Sequence, residues 1–174
     1  IAEIREDVLR ETKRQLLENG ADALTMRSVA TACNIAVGTL YNYFISKDVM
    51  VATVMLEDWL KNLQNMRERT ADATDLKTGM KAVFDEINSF SGTYKKVWNT
   101  FQAQPQTASS MQERHGMLVH QVAEVIIPMA ERLGCCAEKV FVEAAVQLLL
   151  QRAANGDEET FEELYPVLDK LLLK

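Results

Sequence analysis

The chain has 174 residues, of which 48% are hydrophobic and 25% charged, so it can bury a real core, and two domains are expected. Seven Gly and three Pro are few for a β protein of this size, and the Ala, Leu, Glu and Met content favours helices. A formal charge of −6 argues against a partner held by bulk attraction to phosphate, and no stretch has the length of a membrane span or the form of a signal peptide, so a cytoplasmic protein with no membrane partner is expected.

A first helix is predicted from near Ala2 to Asn19, where Ile4, Val8, Leu9, Thr12, Leu16 and Leu17 recur at helical spacing and Asn19-Gly20 is a stop signal. Its other face carries Arg5, Arg10, Lys13 and Arg14. Thr25 is a good N-cap for a short second helix with Val29, Ala30 and Cys33 on its apolar side, and Asn34, tolerant of the left-handed conformation, closes it. A third short helix runs from about Val37 through Leu40, Tyr41 and Phe44, and Ser46 can cap the helix that Lys47 and Asp48 open. Two short helices joined by a three-residue turn form the unit that sets a recognition helix in the DNA major groove. Ala30, Ala32 and Ala36 permit close packing, while Val29, Ile35, Leu40 and Phe44 supply the core.

This stretch resembles the head of the TetR family of bacterial regulators. That head carries Thr-x-Arg-x-(Ile/Val)-Ala, a turn, and Gly-Thr-Leu-Tyr-x-Tyr-Phe-x-Ser-Lys-(Asp/Glu); the chain has Thr25, Arg27, Val29 and Ala30, then GTLYNYFISKD from Gly38 to Asp48. The likeness covers about the first fifty residues and implies a DNA-binding domain over 1–48, a helical ligand-binding and dimerisation domain over 49–174, and a regulator, expected to be a repressor, that leaves a palindromic operator on binding its effector. The turn departs from the family pattern: Asn34, Ile35 and Ala36 stand where Gly, an aliphatic residue and Ser are usual, and Ala in place of a capping Ser forgoes about 1 kcal/mol. The resemblance also leads us to expect a basic arm before Ile1.

For the head, the resemblance implies that Thr25, Thr39, Tyr43 and Lys47 hold phosphates and that Arg27, Val37, Gly38, Tyr41 and Asn42 lie at or near base edges. The residue chemistry fits such a division, since Arg can fork onto guanine, Asn onto adenine, and a Thr methyl can meet a thymine methyl. Packing inside the head with Leu40 and Phe44 is the competing reading of Tyr41. Residues 1–50 hold six Lys or Arg and seven Asp or Glu, so specific contacts must outweigh net attraction.

A long helix from Lys47 to about Arg69 has Val51, Val54, Met55, Trp59, Leu63 and Met66 along one side and spans roughly 35 Å. It joins the head to the remainder of the chain, and its tilt would change the separation of two heads in a dimer. Further helices are expected over about 76–90, a short one over 94–101 after a break at Ser91-Gly92-Thr93, and then, past Gln104-Pro105-Gln106, one over 109–133 kinked at Pro128. A helix over 137–154 ends at Asn155-Gly156, and a last segment capped by Asp157 carries Phe161 to Leu172 with Pro166 as a kink or split. No repeat or alternating strand pattern competes, and the fold class is all-α.

The aromatic and Met-rich middle gives candidate effector contacts at Trp59, Phe84, Tyr94, Trp98, Phe101, Met111 and His115, and the few charges among them point to a hydrophobic or aromatic small molecule. The last two helices are apolar on more than one side, and Phe141, Leu148, Leu149, Leu168 and Leu172 are candidates for a homodimer interface, the pairing the resemblance implies. His115 and His120, five apart, fall on different helix faces with no ligand set around them, so neither a metal nor another cofactor is expected. No nucleophile elbow, phosphate-binding Gly loop or His-Glu-x-x-His is present, and an enzyme is not expected. Two other readings stay open: a helical ligand-binding or interaction module that has lost DNA binding, and a redox-responsive regulator acting through Cys135 and Cys136. Cys33 reads as a small buried hydrophobe.

Overall fold

The computed structural model describes residues 2–102, 108–155 and 161–173, with the side chains of 2, 98–114 and 155 outside that description. The described residues form eight α-helices and no strand: α1 (Ala2–Asn19), α2 (Met26–Ala32), α3 (Val37–Tyr41), α4 (Lys47–Ala71), α5 (Leu76–Gln102), α6 (Ala108–Arg132), α7 (Lys139–Asn155) and α8 (Phe161–Leu172). The all-α expectation is met. They pack as two compact units, one of residues Ile1–Leu60 with Thr93–Pro105, the other of Lys61–Gly92 with Gln106–Lys174, so α4 and α5 each contribute to both.

In the first unit, Val8, Leu9 and Leu16 of α1 are buried with Leu24, Val29, Leu40, Phe44, Met50 and Val54. Thr12 lies among them without a desolvation penalty because its hydroxyl donates to the Val8 carbonyl at 2.7 Å. Gly20, at φ 81°, donates to the Leu16 carbonyl and ends α1 in the left-handed conformation that favours glycine. Salt bridges Arg5–Glu57 (3.0 Å) and Lys13–Asp58 (2.6 Å) tie α1 to α4, and Asp58 also accepts from the buried Tyr94 hydroxyl. Burial, reinforced by the Asp58 charge, pushes the Tyr94 phenol well above its usual range.

In the second unit, Leu63, Met66, Met80, Val83, Ile87, Val122, Ile126, Ala145, Val146, Leu149, Leu168 and Leu172 form the core. Glu86 of α5 gathers Asn62 (3.0 Å), Asn65 (3.2 Å) and Arg69 (3.1 Å) of α4. At the crossing of α5 and α6, a Cβ on Gly79 would lie 2.0 Å from the Met129 sulfur, so only glycine admits this approach without moving Met129. Gly134, at φ 71°, closes α6, and the Cys135 amide reaches back to the Ala130 carbonyl.

Three expectations about breaks are corrected. Ser91-Gly92-Thr93 does not interrupt the chain; α5 continues to Gln102. A mid-helix glycine costs only about 1 kcal/mol relative to Ala, and the burial of Ile87, Tyr94 and Val97 along one face outweighs it. Ser91 further ties the helix to α7 by donating to the Ala153 carbonyl at 2.8 Å. Pro166 does not split α8, whose buried Phe161, Leu164, Leu168 and Leu172 hold one continuous stripe past it. The third short helix ends at Tyr41 rather than reaching Phe44, which is buried beyond the helix end. Pro128 lies inside α6, as expected. The expected break at 104–106 and the caps at Gly156 and Asp157 lie outside the described residues.

Candidate nucleic-acid interface

Thr25 caps α2 from an extended backbone, accepting from the Ser28 amide at 3.0 Å while its own amide donates to the Ser28 hydroxyl at 3.2 Å. The Ser28 hydroxyl in turn reaches Gln15 of α1 at 2.7 Å, and Gln15 donates to Glu11, so a short polar chain fixes α2 on the bracing helix. Hydrogen bonds from Arg14 and Gln15 hold the Glu11 carboxyl down at about 2, well below its ordinary value of 4.5. The turn follows from Asn34 at φ 52°, whose amide donates to Thr31, with Ile35 donating to Ala30. Ala36 then opens α3 from the backbone conformation of an N-cap, φ −66° and ψ 143°, with no side-chain bond. After α3, Ser46 caps α4 by accepting from Val49 at 3.2 Å.

All nine residues expected at DNA lie in the first unit: Thr25 at the N-cap of α2 and Arg27 on it, Val37, Gly38, Thr39 and Tyr41 on α3 with Asn42 at its C-cap, Tyr43 in the α3–α4 connection, and Lys47 at the start of α4. Thr25, Arg27, Gly38, Tyr41 and Asn42 are exposed, and Val37, Thr39, Tyr43 and Lys47 half-buried. Tyr41 is 50% exposed, so its competing reading as a core residue beside Leu40 and Phe44 does not hold. Gly38 has open space where a Cβ would stand. Lys47 has a partner the sequence did not suggest: its Nζ donates to the Ala21 carbonyl at 3.0 Å. Ile45, 80% exposed in the α3–α4 connection, was also missed; its place between a core Phe and a capping Ser carries no periodic signal.

Charge is organised around this surface. The α1 cations pair with acids of their own unit: Arg5 with Glu57, Arg10 with Asp7, Lys13 with Asp58, and Arg14 with Glu11 and Glu18. The Arg27 side chain makes no ion pair or hydrogen bond among the described residues, which leaves its guanidinium available at the exposed face of α2. Cys33, the C-cap of α2, is half-buried, and burial together with nearby Glu11 and Asp7 raises its thiol, which makes it a poor nucleophile.

The expected effector residues are divided between the two units. Trp59 and Tyr94 are buried in the first unit, Phe84 packs on Phe161 in the second with ring centres 5.4 Å apart, and His115 is exposed on α6. The side chains of Trp98, Phe101 and Met111 lie outside the described residues. Of the four whose side chains are described, none lines the open cavity of about 470 Å³ between α4 and α6 in the second unit, bounded by Arg67, Thr70, Val125, Met129 and Arg132 among others. Of the residues expected between subunits, Leu149, Leu168 and Leu172 are buried in the core of their own chain and Leu148 is half-buried. Phe141 is 42% exposed, accompanied by exposed Val140 on α7 and Val167 on α8, with Leu173 just beyond it.

Residues 8–54 match the family described as bacterial regulatory proteins, tetR family. Over 64 residues the chain is 33% identical to the HTH-type transcriptional regulator UidR of Escherichia coli K12, a match covering 37% of this chain and 33% of that protein. The chain thus spans about a third of the length of the curated relatives it matches. The fold is shared much more widely. A TetR-family transcriptional regulator from Streptomyces coelicolor matches with a TM-score of 0.68 at 18% identity, covering 97% of this chain and 96% of that one. The fatty acid degradation regulator FadR from Bacillus halodurans gives 0.64 at 15%, covering 97% and 94%, and a TetR transcriptional regulator from Legionella pneumophila gives 0.58 at 20%, covering 95% of each.

Proposed function

With its N-terminal residues 8–54 belonging to the tetR family of bacterial regulatory proteins, we propose that this chain is a cytoplasmic, homodimeric transcription regulator, a repressor that a small hydrophobic or aromatic effector releases from a palindromic operator. The observation that carries the reading is the helix-turn-helix surface, where Arg27, Gly38, Tyr41 and Asn42 stand exposed above a filled core of Val29, Ala30, Leu40 and Phe44. Arg27 and Asn42 supply the bidentate donors and acceptors that read base edges, and Thr25, Thr39, Tyr43 and Lys47 fix register on phosphate. Two heads must meet half-sites about 34–36 Å apart, or a multiple of that, and exposed Val140, Phe141, Val167 and Leu173 supply the apolar face on which two copies pair. An effector that binds better to a dimer with its heads differently spaced draws it off DNA by that difference in affinity. No helix among the described residues is long and apolar enough to cross a membrane, which is compatible with a cytoplasmic site of action.

The test is titration of labelled duplexes with the protein and its variants. Arg27→Ala is expected to relax preference at one base position by a factor of about 5 to 100, against a smaller, sequence-independent loss for Tyr43→Phe. The pairing of the α1 cations with their own acids favours one rival, an interaction module that no longer binds DNA; unchanged function in Tyr43 and Lys47 variants would favour that module.

A further inference from the structure

A cavity opens between α4 and α6 within the second unit. Its floor is made by Thr70, Val125 and Met129, each nearly fully buried, and its rim carries Arg67, Arg132 and Glu124. At about 470 Å³ it falls in the size range of small-molecule sites, and its walls are mostly apolar. The rim charges are not consumed by the fold. Arg132 donates through Nη2 to the Thr70 carbonyl at 2.8 Å, which caps the end of α4 and holds that guanidinium in place with its other donors uncommitted. The side chains of Arg67 and Glu124 make no hydrogen bond or ion pair among the described residues.

We infer that this cavity binds a small monocarboxylic acid with an apolar body. Two guanidiniums against one carboxylate leave the rim with an excess of one positive charge, and the planar fork of arginine matches a carboxylate better than any neutral group. The apolar surface of Val125, Pro128 and Met129 takes the apolar body beside the charged rim. Glu124 selects against a second negative charge on the ligand, so dicarboxylates are excluded. Gly79 contributes from behind, since the Met129 thioether that it admits is the adjustable part of the floor. The inference gives a chemical class to the proposed effector and rests on the effector reading for its regulatory meaning; the binding itself does not depend on DNA.

The experiment titrates hexanoate, hexanol and adipate into the full chain carrying ¹³C-methyl methionine, and separately adds hexanoate to the protein bound to its selected duplex. Saturable hexanoate binding at millimolar concentration or below that moves the Met129 methyl signal is expected, with hexanol and adipate each about tenfold weaker or worse. Arg67→Gln, which breaks no internal side-chain bond, is expected to weaken hexanoate about tenfold with an unchanged circular dichroism spectrum, and Glu124→Gln to admit adipate. An unmoved Met129 signal, equal binding of hexanoate and hexanol, or indifference to Arg67→Gln overturns the site. Binding that passes these tests without release of DNA keeps the site and removes it from the effector reading; DNA release by another compound with no hexanoate binding does the reverse.

Discussion

The unsatisfied cap of α3 gives the most direct quantitative test of how sequence sets the reading surface. Ala36 has the extended backbone of an N-cap, but a methyl group stands where a hydroxyl would accept from the Gly38 amide, the Thr39 amide already donating to the Ala36 carbonyl at 2.9 Å. Position 36 is exposed, so a serine there meets no packing constraint. Ala36→Ser is therefore expected to stabilise the chain by about 1 kcal/mol, close to a fivefold change in the equilibrium it acts on. In thermal unfolding that corresponds to a rise of about 4–8 °C if the first unit melts alone, or about 2–4 °C if the chain melts together. If α3 frays locally, its amides should exchange about fivefold more slowly in the variant. Because a better-formed helix raises only the binding-competent fraction, DNA affinity can gain at most the same factor, equally for every sequence. The complementary change, Thr25→Ala, removes the reciprocal cap of α2 and is expected to cost about 1 kcal/mol. An Ala36→Ser protein that melts at or below the parent temperature, with unchanged exchange in α3, refutes the claim that this helix lacks a cap it could use.

Lys47→Ala should lower stability by about 1 kcal/mol through loss of the bond to Ala21 and weaken DNA binding uniformly, reducing the salt slope by about one; lost stability with an unchanged slope would make Lys47 a strut and nothing more. Phe141→Glu places a charge in the exposed apolar face of α7 and is expected to give monomers in sedimentation, whereas an intact dimer moves the interface elsewhere. Glu11 has a folded-state pKa depressed from 4.5 to about 2, so its contribution is present above pH 4.5 and is lost as pH falls toward 2. A Glu11→Gln variant should accordingly lose less stability than the parent over that interval in acid titration followed by circular dichroism, and parallel curves would count against the assignment.

The sequence disclosed what depends on near neighbours. The Thr25 cap, the left-handed Asn34, the bare Ala36 and the Ser46 cap are each decided within four residues, and the structure carries all four. Breaks were over-read for the opposite reason: Gly92 and Pro166 weaken a helix locally, but the burial that sustains α5 and α8 comes from partners far along the chain. Leucine runs on α7 and α8 show excess apolar surface without telling a chain's own core from a second copy: of the expected interface residues Leu149, Leu168 and Leu172 are core, Phe141 is exposed, and the exposed Val140 and Val167 beside it carry no such signal. Contacts between distant segments left no trace in the pattern. The Lys47–Ala21 bond, the Ser28–Gln15 bond and the cavity joining Arg67 to Arg132 are of this kind.

Selection of bound duplexes from a random DNA library at near-physiological salt tests the central claim most directly. The account predicts enrichment of an inverted repeat whose half-sites lie about one or two helical turns apart, with discrimination lost at the positions read by Arg27 and Asn42 when those residues are replaced by Ala. Absence of any enriched sequence, from protein shown to be folded and dimeric, would contradict it.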